Sequence, residues 1–388
     1  MTRKILVGLG IGALVGLLVL YFGRDVFWPK APTPVAGPIS IGHIAPLTGD
    51  AAVFGVWERE GIDLAVDEVN AAGGIGGRPL IVDHQDDQGT PTVAVSALRS
   101  LIDQKGVRIV IGGTLSGTTL AMAPIAVRQK IVLMSPSAQS PKIATAGDFV
   151  FRLFVPTTQE GAFLADLAAR EDPSTAAILY LNNDYGVGLR DSVREKLPPS
   201  VSLSAVEGYS GDARDFRTHI QKIVGRGEPD IVFVLGYQAD VATIIKQMRE
   251  LGVKSRLYAP NSFEGDETVK IAGRAAEGVV YDYPILPSSS LATTVQATFR
   301  KRYGREMNIY NAVGYDAVKL LAASMNDIAK TSSTIDGTSV KVNLRRAPVF
   351  EGVTGPIKFG SGSDALYRPL EARTYRGGRF QPLLPTAK

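Results

Sequence analysis

The feature that most limits what this chain can fold into is a repeated alternation of short, continuously apolar segments with amphipathic ones. Ile39–Ile44, Leu80–Asp83, Arg108–Gly112 and Ile131–Met134 read as strands. Between them, Glu58–Ala72 reads as a helix with Ile62, Ala65, Val66 and Val69 on one face. A second helix is opened by Pro91 and buries Ala94, Leu98 and Leu101, and a third runs from Ser116 to Arg128. The pattern resumes with strands at Ala176–Leu181, Val201–Val206 and Asp230–Leu235, and helices at Val187–Leu197, Asp215–Val224 and Asp240–Leu251. Strands without a polar face are buried on both sides, so βαβ units building parallel sheets covered by helices are expected. The alternation runs twice, with a break near Phe151–Thr158. Two doubly wound, Rossmann-like α/β lobes are the natural result. In such sheets a ligand sits beyond the carboxyl ends of the strands. That places candidate residues after Ile44, Gly112, Met134, Leu181, Leu235 and Ala259.

Several chemistries are excluded first. The chain has no cysteine, so it has no thiolate zinc site, disulfide or cysteine-linked lipid. The net charge of +4 is spread along the chain without a basic run, which argues against nucleic acid. His43, His84 and His219 lack the close spacing of metal ligands and read as structural or surface residues. Gly113-Thr-Leu-Ser-Gly117 has Thr114 where a nucleophile elbow needs its first glycine. The glycines at 73, 74, 76 and 77 come after a helix and before a strand, the reverse of a dinucleotide fingerprint. Asp86-Asp87 reads best as the cap of the following helix. We therefore expect no catalytic residue, no metal and no cofactor.

Arg3 and Lys4 precede the uncharged run Ile5–Phe22, which as a helix would span about 27 Å, close to the hydrocarbon thickness of a bilayer. The charges in front predict that the rest of the chain lies outside the cytoplasm. The run reads as an anchor held at the inner membrane, with a cleaved signal as the alternative. Residues 1–23 form this segment, and the proline-rich residues 24–37 form a stiff spacer.

What remains is a set of hydroxyls and rings at strand ends. Ser116 opens a helix, whose free N–H groups favour a carboxylate, and Ser137 comes after a strand. Tyr185 and Tyr237 come after strands of the second half. Two readings stand for them: walls that close over a small ligand, or ordinary caps and loop anchors.

The ordered series Ile44-Ala-Pro-Leu-Thr-Gly49, Phe54-Gly55, Gly61-Ile-Asp-Leu-Ala65, Val69–Arg78, Asp86-Asp-Gln88, Val110-Ile-Gly112, Met134-Ser-Pro-Ser-Ala138, Asp184-Tyr-Gly186, Asn311–Asp316 and Gly352–Pro356 resembles the leucine/isoleucine/valine-binding proteins. These are type I periplasmic solute-binding proteins of ABC importers. The resemblance implies a type I fold whose lobes are joined by three crossover segments. The expected lobe I is 38–156 plus 285–368, and lobe II is 157–284 plus 369–388. It implies that the Ser116 hydroxyl and the Gln139 backbone N–H meet a ligand carboxylate, that the Ser137 carbonyl meets an ammonium, and that Tyr185 and Tyr237 cover the ligand. The acid that pairs with the ammonium in the family falls at Asn261, a departure. Either Glu264 substitutes, or the ligand lacks an ammonium, as a carboxylate or amide would. Phe54 and Trp57, in a loop of lobe I, would touch an apolar part. The implied protein is not an enzyme. It is a monomeric binder of an amino-acid-like, carboxylate or amide solute, presenting it to an ABC permease. A membrane-anchored ligand sensor with the same lobes is the alternative.

Overall fold

The computed structural model describes residues 37–384, apart from 226, 333, 361, 366 and 367. The candidate span 5–22 lies outside the described residues. Among the described ones, no helix is long and apolar enough to cross a membrane. The chain divides into two units at Pro38–Ile39, and every element named below belongs to the second, Ile39–Lys388.

In chain order the first group comprises β1 (Ile39–Ala45), α1 (Ala52–Ala71), β2 (Leu80–Asp86), α2 (Pro91–Lys105), β3 (Ile109–Gly112), α3 (Ser116–Gln129), β4 (Val132–Ser135) and β5 (Val150–Arg152). The second comprises α4 (Thr157–Ala169), β6 (Thr175–Leu181), α5 (Asp184–Lys196), β7 (Ser202–Tyr209), α6 (Arg217–Val224), β8 (Ile231–Leu235), α7 (Gln238–Glu250), β9 (Arg256–Ala259), α8 (Asp266–Ala272) and β10 (Val280–Pro284). The remainder comprises α9 (Ser290–Tyr303), α10 (Ile309–Ala329), α11 (Gly337–Arg346), the small ribbon β11 (Phe350–Gly352) and β12 (Gly355–Ile357), and the hairpin β13 (Leu370–Arg376) and β14 (Arg379–Pro382).

Two sheets result. The first has the order β2-β1-β3-β4-β5 and is parallel throughout. The second has the order β14-β13-β10-β9-β8-β6-β7, parallel from β7 to β10 and antiparallel where β13 and β14 join its edge. Each is apolar on both faces. In the first sheet, Ile39, Ile41, Ile109, Ile111 and Met134 pack towards α1, α9, α10 and α11, while Ile44, Val110 and Leu133 pack towards α2 and α3. In the second, Ala177, Leu179, Val232 and Val234 face α6 and α7, while Ala176, Ile178 and Phe233 face α4 and α5. Each fully buried aliphatic contributes about 1.5–3 kcal/mol of transfer free energy, which is why these strands carry no polar alternation. The chain passes between the sheets three times: from β5 to β6, from β10 back to the helices on the first sheet, and from β12 to β13. This is the type I periplasmic binding protein architecture, with two doubly wound lobes.

The strand order reverses direction between β1 and β3 in one lobe and between β6 and β8 in the other, which opens a crevice at each carboxyl edge. Two differences from the sequence reading matter there. Helix α1 begins at Ala52, six residues before the expected Glu58, so Phe54 and Trp57 lie on its opening turns and not in a loop. Gly55 permits this, since a Cβ there would lie 2.1 Å from the Pro46 carbonyl oxygen. Further along, a Cβ on Gly61 would stand 1.9 Å from the Asn311 carbonyl oxygen. The missing side chain lets α1 and α10 cross in backbone contact and sets Tyr310 beside Phe54. The second difference concerns Asp86 and Asp87, which do not cap α2; its N-cap is Thr90. Asp86 instead accepts from the Leu47 and Thr48 N–H groups at 2.9 and 3.3 Å, and Asp87 from the Gly89 N–H at 2.8 Å. A strand continued to Asp86 puts both carboxyls at the sheet edge, where they tie loops together.

Candidate functional site

Nine residues from both lobes line a cavity of about 250 Å³ of atom-free space, part of it open to solvent. Phe54, Thr114, Leu115, Ser137, Gln139 and Tyr310 come from the first lobe, and Tyr185, Tyr237 and Ser262 from the second. Their positions are set by local structure. Thr114 and Leu115 connect β3 to α3, Ser137 and Gln139 come after β4, and Tyr237 is the N-cap residue of α7 after β8. Tyr185 stands in the first turn of α5, which Asn183 caps by accepting from the Tyr185 and Gly186 N–H groups at 3.1 and 3.0 Å.

One side of the cavity is a wall of rings. Tyr185 and Tyr237 stack with centroids 5.4 Å apart and planes 5° from parallel. Phe54 touches Tyr237 across the lobes at 6.0 Å and Tyr310 at 4.9 Å. Behind Tyr310 lie Trp57 at 5.6 Å and Phe154 at 5.5 Å, both stacked on it. Burial keeps the phenols of Tyr185, Tyr237 and Tyr310 protonated far above neutrality. The Tyr185 hydroxyl is buried with no hydrogen-bond partner, whereas the Tyr237 oxygen accepts from Asn183 Nδ2 at 3.4 Å.

The other side is polar and backed by buried acids. Glu58 is fully buried on α1; it accepts from Thr114 Oγ1 at 2.7 Å on one oxygen and from the Ser137 hydroxyl on the other. Burial pushes its carboxyl up to about 8, against these two hydrogen bonds, which favour the charge. Gln139 Nε2 donates to Glu160 Oε2 at 2.7 Å. Glu160 also accepts from the backbone N–H of Asn261 at 3.2 Å and from its side-chain amide. Asn261 Oδ1 in turn accepts from the Tyr310 hydroxyl at 2.9 Å. Burial raises Glu160 to about 7, and burial together with the charge of Glu160 holds the neighbouring Asp282 well above the usual carboxylate range.

Five of the nine residues singled out in the sequence line this cavity: Phe54, Ser137, Gln139, Tyr185 and Tyr237. Ser116 lies one layer behind. Its oxygen accepts from the N–H groups of Gln139 and Ser140 at 3.2 and 3.0 Å, so the Gln139 N–H is engaged there and shapes the loop. Asn261 and Trp57 likewise stand one layer back, behind Tyr310. Glu264 is elsewhere: it pairs with Arg373 at 2.9 Å and accepts from the Tyr281 hydroxyl. The acids behind this wall are Glu58 and Glu160. Thr114, Leu115, Ser262 and Tyr310 were not singled out in the sequence, nor were Glu58 and Glu160. The two glutamates were visible as acids on otherwise apolar helix faces, Glu58 in phase with Phe54 and Ile62, and Glu160 with Leu164.

Exposed ion pairs join the lobes at the rim, Lys142 with Asp184 at 2.7 Å and Arg214 with Asp50 at 2.6 Å. A larger hollow of about 540 Å³ opens to solvent beside Leu286, Ala292, Met307 and Val353. It lies away from both strand-order reversals, so the smaller cavity, where the two carboxyl edges meet, is the candidate site.

Comparison with known proteins agrees with this fold. A periplasmic binding protein family model matches residues 38–377. A leucine-, isoleucine-, valine-, threonine- and alanine-binding protein of Pseudomonas aeruginosa is 26% identical over 333 residues, covering 85% of this chain and 87% of that one. Among solved structures, the branched-chain amino acid transporter substrate binding protein LivJ of Streptococcus pneumoniae, in complex with isoleucine, superposes with a TM-score of 0.81 at 26% identity. It covers 89% of this chain and 98% of its own. A leucine-binding protein LivK of Thermotoga maritima shares the fold with a TM-score of 0.82 at 24% identity, covering 89% of this chain and 98% of its own. The chain therefore belongs to the periplasmic binding protein family, of the Leu/Ile/Val-binding type.

Proposed function

We propose that this protein is the extracytoplasmic solute-binding component of an ABC importer, and that it closes on one amino-acid-like solute and hands it to a permease without altering it. The observation that carries this reading is the two-sided cavity: rings and hydroxyls of the two lobes meet around one small volume at the paired strand-order reversals. A solute touching both walls stabilises the closed arrangement, because only there does it gain contacts from each lobe. The lobes on this reading are 38–156 plus 285–368 and 157–284 plus 369–388, with hinges near Pro156, Pro284 and Pro369. Phe54, Ser137, Gln139, Tyr185 and Tyr237 contact the solute, while Ser116 and Asn261 hold the residues that do. Trp57 stiffens Tyr310. The relatives named for branched-chain amino acids support an aliphatic amino acid as the solute. The ring-lined side accepts an apolar side chain and the polar side its charged groups. The uncharged run 5–22 behind Arg3 and Lys4 supports attachment to the inner membrane.

Titration calorimetry against the amino acids and their des-amino and amide analogues tests the proposal. Binding of L-isoleucine or a similar amino acid, with thermal stabilisation of about 2.7 kcal/mol at a hundredfold excess over Kd, is the expected result. A protein that binds no member of the panel would overturn it.

A further inference from the structure

Two of the three histidines form a line that leads from the cavity wall to solvent. The register of β1 on β2 sets His43 directly beside His84. Their Nδ1 atoms are 2.8 Å apart, and His84 Nε2 is 3.0 Å from Asp63 Oδ1 on α1. His43 is fully buried, while the His84 and Asp63 side chains are 15% and 34% exposed, so the line ends at the surface. At its inner end His43 Nε2 stands 4.0 Å from Glu58 Oε2 and has no hydrogen-bond partner. Glu58 holds the two cavity hydroxyls, Thr114 and Ser137.

The surface end sets the tautomers. The Asp63 carboxylate accepts the proton of His84 Nε2, and the 2.8 Å contact with His43 then gives His84 Nδ1 the acceptor's part. His43 Nδ1–H donates to that nitrogen, which leaves His43 Nε2 bare and turned towards Glu58. Burial lowers the basicity of His43 and keeps Glu58 protonated near neutrality, so a protonated acid faces a bare nitrogen. The groups around this pair are few. Asp87, after β2, opposes ionisation of Glu58, and Tyr310 on α10 stays neutral. Arg59 opposes protonation of His43, and Arg59 and Arg302 favour the Asp63 carboxylate.

The state of Glu58 decides what the wall offers a solute. Once Glu58 is ionised, Thr114 and Ser137 both donate inward and present only lone pairs to the cavity. The Ser262 proton goes to the Gly236 carbonyl at 2.8 Å and the Tyr310 proton to Asn261 Oδ1. A wall of lone pairs with a negative charge one bond behind it suits an ammonium group, and no cationic side chain lines the cavity to compete.

We propose that the solute's ammonium group is taken up against a proton that leaves Glu58 and reaches the surface through His43, His84 and Asp63. This rests on the solute-binding reading above. Glu58 acts through Ser137 and Thr114 and is a positioning residue. In the transfer Glu58 Oε2 first closes the 4.0 Å to His43 Nε2 to hydrogen-bond distance; its O–H bond then breaks and His43 Nε2–H forms. His43 Nδ1–H breaks as His84 Nδ1–H forms, and His84 Nε2–H breaks to give its proton to Asp63 and then to water. Solute release runs the same steps backwards, so nothing is consumed.

The test uses L-isoleucine as probe, with calorimetry near neutral pH in phosphate and in Tris buffer. Wild type is expected to release close to one proton per solute bound, and Glu58→Gln none. In stopped-flow mixing with a pH-indicator dye, His84→Gln is expected to slow the release severalfold without changing its amount. Equal proton release in wild type and Glu58→Gln, or an unchanged rate in His84→Gln, would overturn the proposal. If L-isoleucine and the other amino acids do not bind, the solute reading falls by itself. The infrared difference between solute-free wild type and Glu58→Gln then decides the rest. A carboxylic-acid band that disappears as the pH rises through the Glu58 range supports the relay's proton source, and its absence overturns it.

Discussion

Glu58→Gln should make this protein more stable at neutral pH and leave it little changed in acid. The carboxyl is fully buried, and burial raises it from 4.5 to about 8. Unfolded, the same group loses its proton near 4.5. Between those values the folded chain binds more protons than the unfolded one, so stability falls as the pH rises, and it levels off above about 8. Each unit in that window costs about 1.4 kcal/mol, so the burden near pH 7 is about 3 kcal/mol. Glutamine has no proton to lose. Its carbonyl can accept from one of Thr114 and Ser137 while its amide donates to the other, so the local bonding survives. The difference between variant and wild type should therefore open from almost nothing near pH 4.5 to about 3 kcal/mol near pH 7, a shift in melting midpoint of about 4 °C for a chain of 388 residues. Scanning calorimetry of both proteins across that range, with no solute added, measures it. A difference that stays constant with pH would show that Glu58 does not titrate in this window and would refute the reasoning.

Three further outcomes are expected from the same geometry. Tyr237→Ala removes a ring that lines the cavity and stacks on Tyr185, and should weaken solute binding by ~1–3 kcal/mol in calorimetry; unchanged affinity in a folded variant would remove Tyr237 from the site. Tyr185→Phe deletes a buried hydroxyl that has no partner, and should stabilise the solute-free protein by about 1 kcal/mol in thermal unfolding while weakening binding by a similar amount if that hydroxyl donates to the solute. Gly61→Ala drives a Cβ into the Asn311 carbonyl and should cost at least about 1–3 kcal/mol, read from denaturant unfolding, by parting α1 from α10; a neutral result would show that the two helices have room to separate.

Much of the fold was legible because each sheet is buried on both faces. A run such as Ile231–Leu235 has no polar member and admits few alternatives between amphipathic helices. The C-terminal third was not legible for the opposite reason. Helix α10 is buried nearly all round, with Ile309, Tyr310, Asn311, Ala312 and Val313 buried in succession, so it shows no helical stripe to read. Tyr310 was lost with it. The residues at strand ends were legible because topology puts them there, but their partners were not. Ser116 stands behind the cavity and steadies the Gln139 loop, and nothing in a single sequence says that Asn261 will meet Glu160.

The acids explain why the site needed structure to be understood. An acid on the apolar face of α1 is costly unless something offsets it, and the folded chain offsets Glu58 with two hydroxyls and no cation. The same holds on α4, where Glu160 is met by two amides and by Asp282, itself raised by burial. Such groups lower the stability of the folded chain at neutral pH, and on the solute-binding reading a positive charge entering between the lobes stabilises the ionised form of Glu58. On that reading a solute that carries the charge draws the proton from Glu58, and a solute without it leaves Glu58 protonated and gains nothing from it. The discrimination between an amino acid and its des-amino analogue should accordingly be larger than contact area alone would give. It should shrink as the pH falls below about 8, where Glu58 holds its proton against the incoming charge.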